Sequence, residues 1–246
     1  MTNEWDIVAA DYSRLIGESG DVWRQVLINP AIIKALQPLP PGSRILDLGC
    51  GEGYLARILA PHGWSYTGID NSRTLLNTAG VKKSPGEFVQ ADITKPIEYQ
   101  HQFETVIVNM VLMDVDNAGA VYQNAWRMLK HKGLLVVTIP HPAFRRPGAK
   151  LAKTLFSKIF RLDPFIRINS YTKSFFQKGR LPDVSKPTIV FHRPLSLYIQ
   201  IALDQGFKLL DIEELAPVKN DLIKWKQPLF FTKFPQILFM VFSKDE

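Results

Sequence analysis

The segment Ile45-Leu46-Asp47-Leu48-Gly49-Cys50-Gly51-Glu52-Gly53-Tyr54-Leu55-Ala56 constrains this chain more than any other. An apolar run enters a turn with glycine at alternate positions, and the turn opens a helix. That order is the strand–turn–helix step of an α/β fold. Glycine lets the backbone bend sharply and approach a ligand closely. The helix start then presents its free N–H groups. The loop differs from two well-known relatives. A dinucleotide loop reads G-x-G-x-x-G, whereas here the third glycine comes one residue early and Tyr54 takes its place. A phosphate-cradling P-loop needs a Lys-Ser/Thr pair, which this segment lacks.

Two further segments end as the first does. Residues 65–70 form an apolar run closing on Asp70, and residues 87–93 reach Asp92 beside Ile93. An acid at the end of the second strand of such a fold is placed to accept ribose hydroxyls. A single Asp at a strand end is an ordinary turn residue. Asp47, Asp70 and Asp92 close three separate strands on the side where parallel sheets bind ligands. Residues 103–110 are nearly all apolar, as in a strand buried on both faces. A helix over 118–129, a turn over 130–133 and a strand over 133–139 follow.

The pattern D-x-G-x-G-x-G closely resembles the first motif of class I S-adenosylmethionine (SAM) methyltransferases, and the turn and strand from Lys130 resemble that family's segment after its core helix. The likeness covers residues 40–142, with 190–243 following by pattern. It implies an α/β, Rossmann-like sheet of seven strands, mostly parallel with an antiparallel last strand, and helices on both faces. It implies SAM as cofactor, held by Asp47, Gly49, Cys50, Gly51, Gly53, Asp70, Asn71, Asp92, Ile93, Asn109 and Met110. Asp47 would suit the cationic amino group and sulfonium. Asp92 would take the adenine amino group, with Ile93 against the ring.

The 246 residues suit one large domain with additions, and 46% hydrophobic content is enough for a full core. No run of about 18 apolar residues marks a membrane helix. The opening Met1-Thr2-Asn3-Glu4-Trp5-Asp6 lacks a signal peptide's basic and apolar regions. The lone Cys50 fits a reducing, cytoplasmic compartment. Residues 1–37 read as one or two helices ended by Pro38, Pro40 and Pro41. In the family such a segment packs over the cofactor cleft, which would put Trp5 and Tyr12 at the site; burial at the sheet edge is the other reading. The core is expected over 38–142, an insertion over 143–193, and a closing helix and two strands over 194–246. Residues 194–205 read as that helix, with Gly206 behind it.

The insertion holds twelve Lys/Arg and two Asp/Glu, a net of +10 in a chain of +7. The basicity therefore belongs to residues 143–193. Lys150 to Arg161 has a helical amphipathic pattern, with Leu151, Leu155, Phe156, Ile159 and Phe160 on one face. Aromatic residues interleaved with cations follow it. Three readings stand open: a plain lid, a cap that draws in an anionic or lipid-like acceptor and touches an anionic membrane, and a nucleic-acid surface.

SAM carries an activated methyl group, so an enzyme of this kind mainly aligns its reactants. A base is needed where the acceptor must lose a proton. Asn109-Met110-Val111-Leu112 is not the N-P-P-aromatic loop of enzymes that methylate exocyclic amines of bases. It also lacks the paired glutamates of protein arginine methyltransferases. Cys50 lies in the glycine loop, which removes the two-cysteine route to C5-methylated pyrimidines. Asp114, Asp116 and Asn117 lack a partner on the second strand, so no catalytic metal is expected. His141, between Pro140 and Pro142, is the candidate base, since histidine titrates near neutrality; a strand-capping role is the alternative. Tyr12, Met113, His141, Phe144, Tyr171, His192 and Arg193 are candidates to line the acceptor pocket. Arg193 would take a carboxylate or phosphate, unless His192 and Arg193 only position the following helix. The reading is a methyltransferase for a small or lipophilic metabolite, neutral or anionic, with oxygen acceptors favoured. An RNA methyltransferase, or a SAM-fold protein that binds RNA or a partner without methylating it, is the alternative.

Overall fold

A computed structural model describes residues 3–98, 102–145, 149–152 and 165–245. In chain order its main elements are α1 (Glu4–Ile16), a π-helical turn (Arg24–Ile28), α2 (Asn29–Leu36), β1 (Arg44–Leu48), α3 (Tyr54–Leu59), β2 (Ser65–Asp70), α4 (Arg73–Val81), β3 (Glu87–Gln90), β4 (Phe103–Asn109), α5 (Ala118–Met128) and β5 (Leu129–Pro140). Then come β6 (Lys150–Ala152), β7 (Phe165–Arg167), β8 (Phe175–Gly179), β9 (Thr188–His192), α6 (Leu195–Asp204), β10 (Lys208–Leu215), α7 (Lys219–Lys224) and β11 (Ile237–Ser243).

Seven strands make one sheet in the order β10-β11-β5-β4-β1-β2-β3. β1 to β5 pair in parallel, while β11 runs antiparallel to both β5 and β10. This is the expected seven-stranded, Rossmann-like architecture, with the last strand inserted beside the fifth. Strand order reverses between β1 and β4. Parallel sheets open a ligand crevice at such a reversal, beyond the carboxyl ends of the strands.

Both faces of the sheet are covered. Leu46, Val108, Val137 and Met240 pack on one face with Tyr122 of α5 and Tyr198 of α6. Ile45, Ile107, Val136 and Phe239 pack on the other with Ile32 of α2 and Leu55 of α3. β11 shows the logic most clearly. Its residues alternate between the two cores, and all seven are buried. A continuous apolar run is what a strand covered on both faces requires. Among the described residues no helix is long and apolar enough to cross a membrane.

Two expectations change. Residues 130–133 are not a turn ahead of a strand. β5 starts at Leu129, which pairs with Phe103, and the ladder resumes at Thr105 with Leu134. The residues between bulge out and are held by Lys244, whose N–H donates to Gly133 O at 3.0 Å and whose O accepts from Lys132 N–H at 2.7 Å. Residues 150–152 do not start a helix. They form β6, paired antiparallel with β7, so cross-strand pairing overrides the local helical period. The remainder of the amphipathic segment, 153–161, lies outside the described residues.

Candidate active site

The β1–α3 turn builds the floor of a cleft. Gly49 stands at φ +82°, and a Cβ there would lie 2.4 Å from Val111 Cγ2. Only glycine lets the loop after β4 close onto this turn. The Asp70 carboxylate, at the end of β2, accepts from Gly51 N–H at 2.9 Å and Ser72 N–H at 2.8 Å. Those bonds fix it in the cleft, and each oxygen keeps a further lone pair. Asp92 Oδ1 accepts from the Thr94 N–H at 2.9 Å and hydroxyl at 2.6 Å. Its Oδ2 has no partner among the described residues. The cleft encloses about 240 Å³ and is lined by Gly49, Gly51, Asp70, Asn71, Asp92, Ile93, Asn109 and Met110, among others. The structure thus brings eight of the expected cofactor residues to one cavity.

Asp47, Cys50 and Gly53 stand behind that wall. The buried Cys50 thiol packs on β2 where Gly68 has no side chain, and burial pushes its pKa well up. Gly53 caps α3. Asp47 Oδ2 accepts from Tyr66 Oη at 2.6 Å, while Oδ1 is buried without a partner. Burial pushes the Asp47 carboxyl up to about 7. An unfolded Asp titrates near 3.9. The native state therefore holds a proton that the unfolded state releases, and the cost of ionising Asp47 grows between about pH 4 and 7. Asp47→Asn keeps an acceptor for Tyr66 and carries no charge. It is expected to raise stability by about 2–4 kcal/mol at pH 8, with the gain vanishing near pH 4. Denaturant unfolding at both pH values checks this, and a gain independent of pH would refute the buried charge.

α1 roofs the cleft. Asp6 Oδ1 accepts from Ser72 Oγ at 2.7 Å and Thr74 N–H at 3.0 Å, and Asn3 donates to Asn71. Trp5 and Tyr12 meet edge to face, 5.3 Å between centroids, and both line the cleft. Glu52, between two glycines of the loop, was missed as a structural centre by reasoning from motifs. It is 1% exposed. Its carboxylate meets Arg57 Nη2 and Lys82 Nζ, each at 2.9 Å, and accepts from the Ser13 hydroxyl.

A second cavity, about 920 Å³, opens beside the first. Its walls include Ile28, Trp23, Phe144, Val190 and Trp225. Arg145 and Arg180 also line it and form no ion pair among the described residues. Arg24 lies there too, but pairs with Asp21 at 2.5 Å. Trp5, Tyr12, Met110 and Asp114 line both cavities. Met110 has φ +59°, a rare value for a side-chain-bearing residue, and such backbone is concentrated at functional sites.

Of the expected acceptor residues, Tyr12, Met113 and Phe144 line the larger cavity. His141 does not face it. Its Nε2 lies 2.7 Å from Glu214 Oε1, and its Nδ1 accepts from Ala143 N–H at 3.2 Å. The Nδ1 contact places the ring proton on Nε2, pointing at Glu214. No lone pair remains for an acceptor's proton, so this geometry is a strand cap in place of the expected base. Tyr171, His192 and Arg193 likewise serve the scaffold. Tyr171 Oη accepts from Leu195 N–H at 3.0 Å, at the start of α6. His192 Nε2 meets Tyr171 O at 2.8 Å. The Arg193 guanidinium, expected to bind an anion, instead donates to Leu112 O at 2.9 Å, Val115 O at 2.8 Å and Asp116 O. It holds the loop that carries Val111, Asp114 and Val115 against the cleft. Among the described residues no group of His, Cys, Asp and Glu is arranged to hold a metal ion.

Comparison with known proteins agrees with the fold. Residues 46–137 match the family described as a methyltransferase domain. A ubiquinone biosynthesis O-methyltransferase of Coxiella burnetii is 29% identical over 204 residues, 79% of this chain and 78% of that protein. A demethylmenaquinone methyltransferase of Thermotoga maritima is 30% identical over 118 residues, 47% of this chain and 48% of that protein. A crystal structure of an S-adenosylmethionine dependent methyltransferase from Mesorhizobium loti superposes with a TM-score of 0.72 at 21% identity. That likeness of fold covers 92% of this chain and 100% of the other.

Proposed function

We propose, from its membership of the class I SAM-dependent methyltransferases, that this chain transfers the methyl group of SAM to a small, lipophilic, anionic acceptor, with oxygen as the favoured atom. The carrying observation is the junction of the two cavities at Trp5, Tyr12, Met110 and Asp114. A cofactor cleft that opens into a larger, mainly apolar cavity places donor and acceptor in contact and limits the water around them.

The residues of the first cleft fit SAM. Asp70 offers two fixed oxygens to the ribose hydroxyls. Asp92 Oδ2 is open for the adenine amino group, and Ile93 supplies an apolar wall. When bound, SAM supplies a methyl group on a good leaving group. The chain's own part is to hold the acceptor in line and limit the water around it.

The chamber favours a small molecule over RNA. Its lining is rich in aromatic and branched side chains, as small-molecule pockets are. Arg145 and Arg180 supply positive charge for an acceptor's anionic end. β8 and β9, from the basic insertion, contribute Gln177, Gly179, Thr188 and Val190 to the wall. In this reading β8 and β9 form a cap over the acceptor. The Coxiella and Thermotoga relatives, named for ubiquinone and menaquinone chemistry, support a lipophilic acceptor.

Two measurements test the reading. Asp70→Ala is expected to weaken SAM binding by about 1–3 kcal/mol in calorimetric titration, since ribose hydroxyls lose their acceptor. Unchanged affinity would remove that role. The wild type, given SAM and a panel of alkylated hydroxybenzoates, alkylphenols, alkylamines and a structured RNA, is expected to release S-adenosylhomocysteine with the hydroxybenzoates. Turnover confined to RNA would overturn the proposal.

A further inference from the structure

We propose that Asp114 is the catalytic proton acceptor, taking the hydroxyl proton of the methyl acceptor at the point where the two cavities meet. This rests on the proposed methyltransferase reading and adds to it the group that activates the acceptor.

The inference comes from position and elimination. Among the described residues four line both cavities, which places them to touch donor and acceptor together. Trp5 and Met110 have no exchangeable basic group. Burial pushes the Tyr12 phenol up to about 12, so it stays protonated. Its oxygen also accepts from Arg24 Nη2 at 3.3 Å. That leaves Asp114.

Its carboxyl forms no hydrogen bond with the described residues, while its backbone N–H closes a turn onto Val111 O at 2.7 Å. The turn is fixed from below by Arg193, which bonds carbonyls on either side of Asp114. The side chain is thus aimed and held, yet free to bond a ligand.

The charged and titratable groups facing it are Glu4 and Tyr12 of α1, Arg24 of the π-helical turn and Tyr198 of α6. Burial lifts the Asp114 carboxyl well above the usual carboxylate range, and the Glu4 charge adds to this; Arg24 opposes it. A raised carboxyl is a stronger base when it ionises. A cationic sulfonium brought beside it favours the ionised form.

The step balances. Asp114 begins as carboxylate and takes the acceptor's O–H proton. The acceptor oxygen forms its bond to the methyl carbon as the carbon–sulfur bond breaks. The bonding pair stays on sulfur, leaving neutral S-adenosylhomocysteine. Neutral Asp114 then returns its proton to solvent.

The experiment reads the proton directly. SAM and S-adenosylhomocysteine are titrated calorimetrically into the wild type, Asp114→Asn and Asp114→Glu, in buffers of different ionisation enthalpy near pH 7. The wild type is expected to release up to about one proton with SAM and markedly less with the neutral product. Asp114→Asn should lose this difference, and Asp114→Glu should keep it. With 3-decyl-4-hydroxybenzoate as probe, Asp114→Asn should turn over about 10²–10⁴-fold more slowly, the deficit narrowing at high pH where the phenol ionises unaided. Proton release unchanged in Asp114→Asn, or wild-type turnover by that variant, would overturn the assignment. A wild type that methylates an alkylamine, with Asp114→Asn as active, would overturn the base and leave the SAM reading intact. A wild type that binds no SAM would overturn both.

Discussion

Glu52→Ala is expected to destabilise the protein by about 3–5 kcal/mol, a large part of the stability of an ordinary domain. Glu52 is buried, and its two cationic partners are nearly so: the side chains of Arg57 and Lys82 are 14% and 18% exposed. Removing the carboxylate leaves two charges that water reaches poorly with only the exposed Glu18 carboxylate, 3.3 Å from Arg57 Nε and 3.8 Å from Lys82 Nζ. Breaking one side of a buried ion pair is costly for that reason, even where the intact pair adds little. Arg57 would keep bonds to Gly17 O, Glu18 O and Ser84 Oγ, which limits the loss. Lys82 would keep Gly17 O at 3.0 Å. Glu52→Gln, isosteric and neutral, should fall between wild type and Ala. Urea unfolding at neutral pH measures the series, and a loss below about 1 kcal/mol for Ala would show the triad to be solvated. SAM affinity should fall as well, because Ser13 on the roof helix α1 bonds the same carboxylate.

Glu52 also shows where sequence reading stops. The glycines around it are legible, because each answers to a local backbone demand. Glu52 looks like a spacer between them. Its partners Ser13, Arg57 and Lys82 come from α1, α3 and the residue that follows α4, and no periodicity links them. The sheet was legible for the opposite reason. Apolar runs closed by Asp47, Asp70 and Asp92 report strand ends directly, and the run over β11 could be placed by its length and ending. The cofactor cleft follows from those strand ends. The acceptor side does not, because its walls combine α1, the π-helical turn, the loop after β4 and the β8–β9 hairpin. His141, His192 and Arg193 were conspicuous by residue type. Their bonding partners, Glu214, Tyr171 O and the carbonyls of residues 112–116, are remote in sequence and turn all three toward the scaffold. Asp114 was weighed only as a metal ligand. Its place at the junction depends on α1 lying across the cleft, which its own sequence neighbourhood does not report.

Arg193→Met is expected to cost about 3–5 kcal/mol of stability and to weaken SAM binding about tenfold. Methionine fills much of the same volume, so packing over Phe191 and Tyr198 is partly kept. The loss is the fork of donors. The carbonyls of Leu112, Val115 and Asp116 would be left without it, and an unsatisfied buried polar group costs about 1–3 kcal/mol. Arg193→Lys should recover little, since one ammonium does not span acceptors that a planar fork reaches together. The binding effect follows from the loop's contents. Val111, Asp114, Val115 and Asp116 all line the cofactor cleft. A loop free to open spends less time in the shape that receives SAM, and affinity falls by the fraction lost. An anion-binding role would give a different result. Then Arg193→Met would raise the KM of carboxylated acceptors while leaving SAM affinity and the unfolding midpoint unchanged. Denaturant unfolding and SAM calorimetry on the one variant separate the two, and an unshifted midpoint with intact SAM binding would return Arg193 to the acceptor pocket.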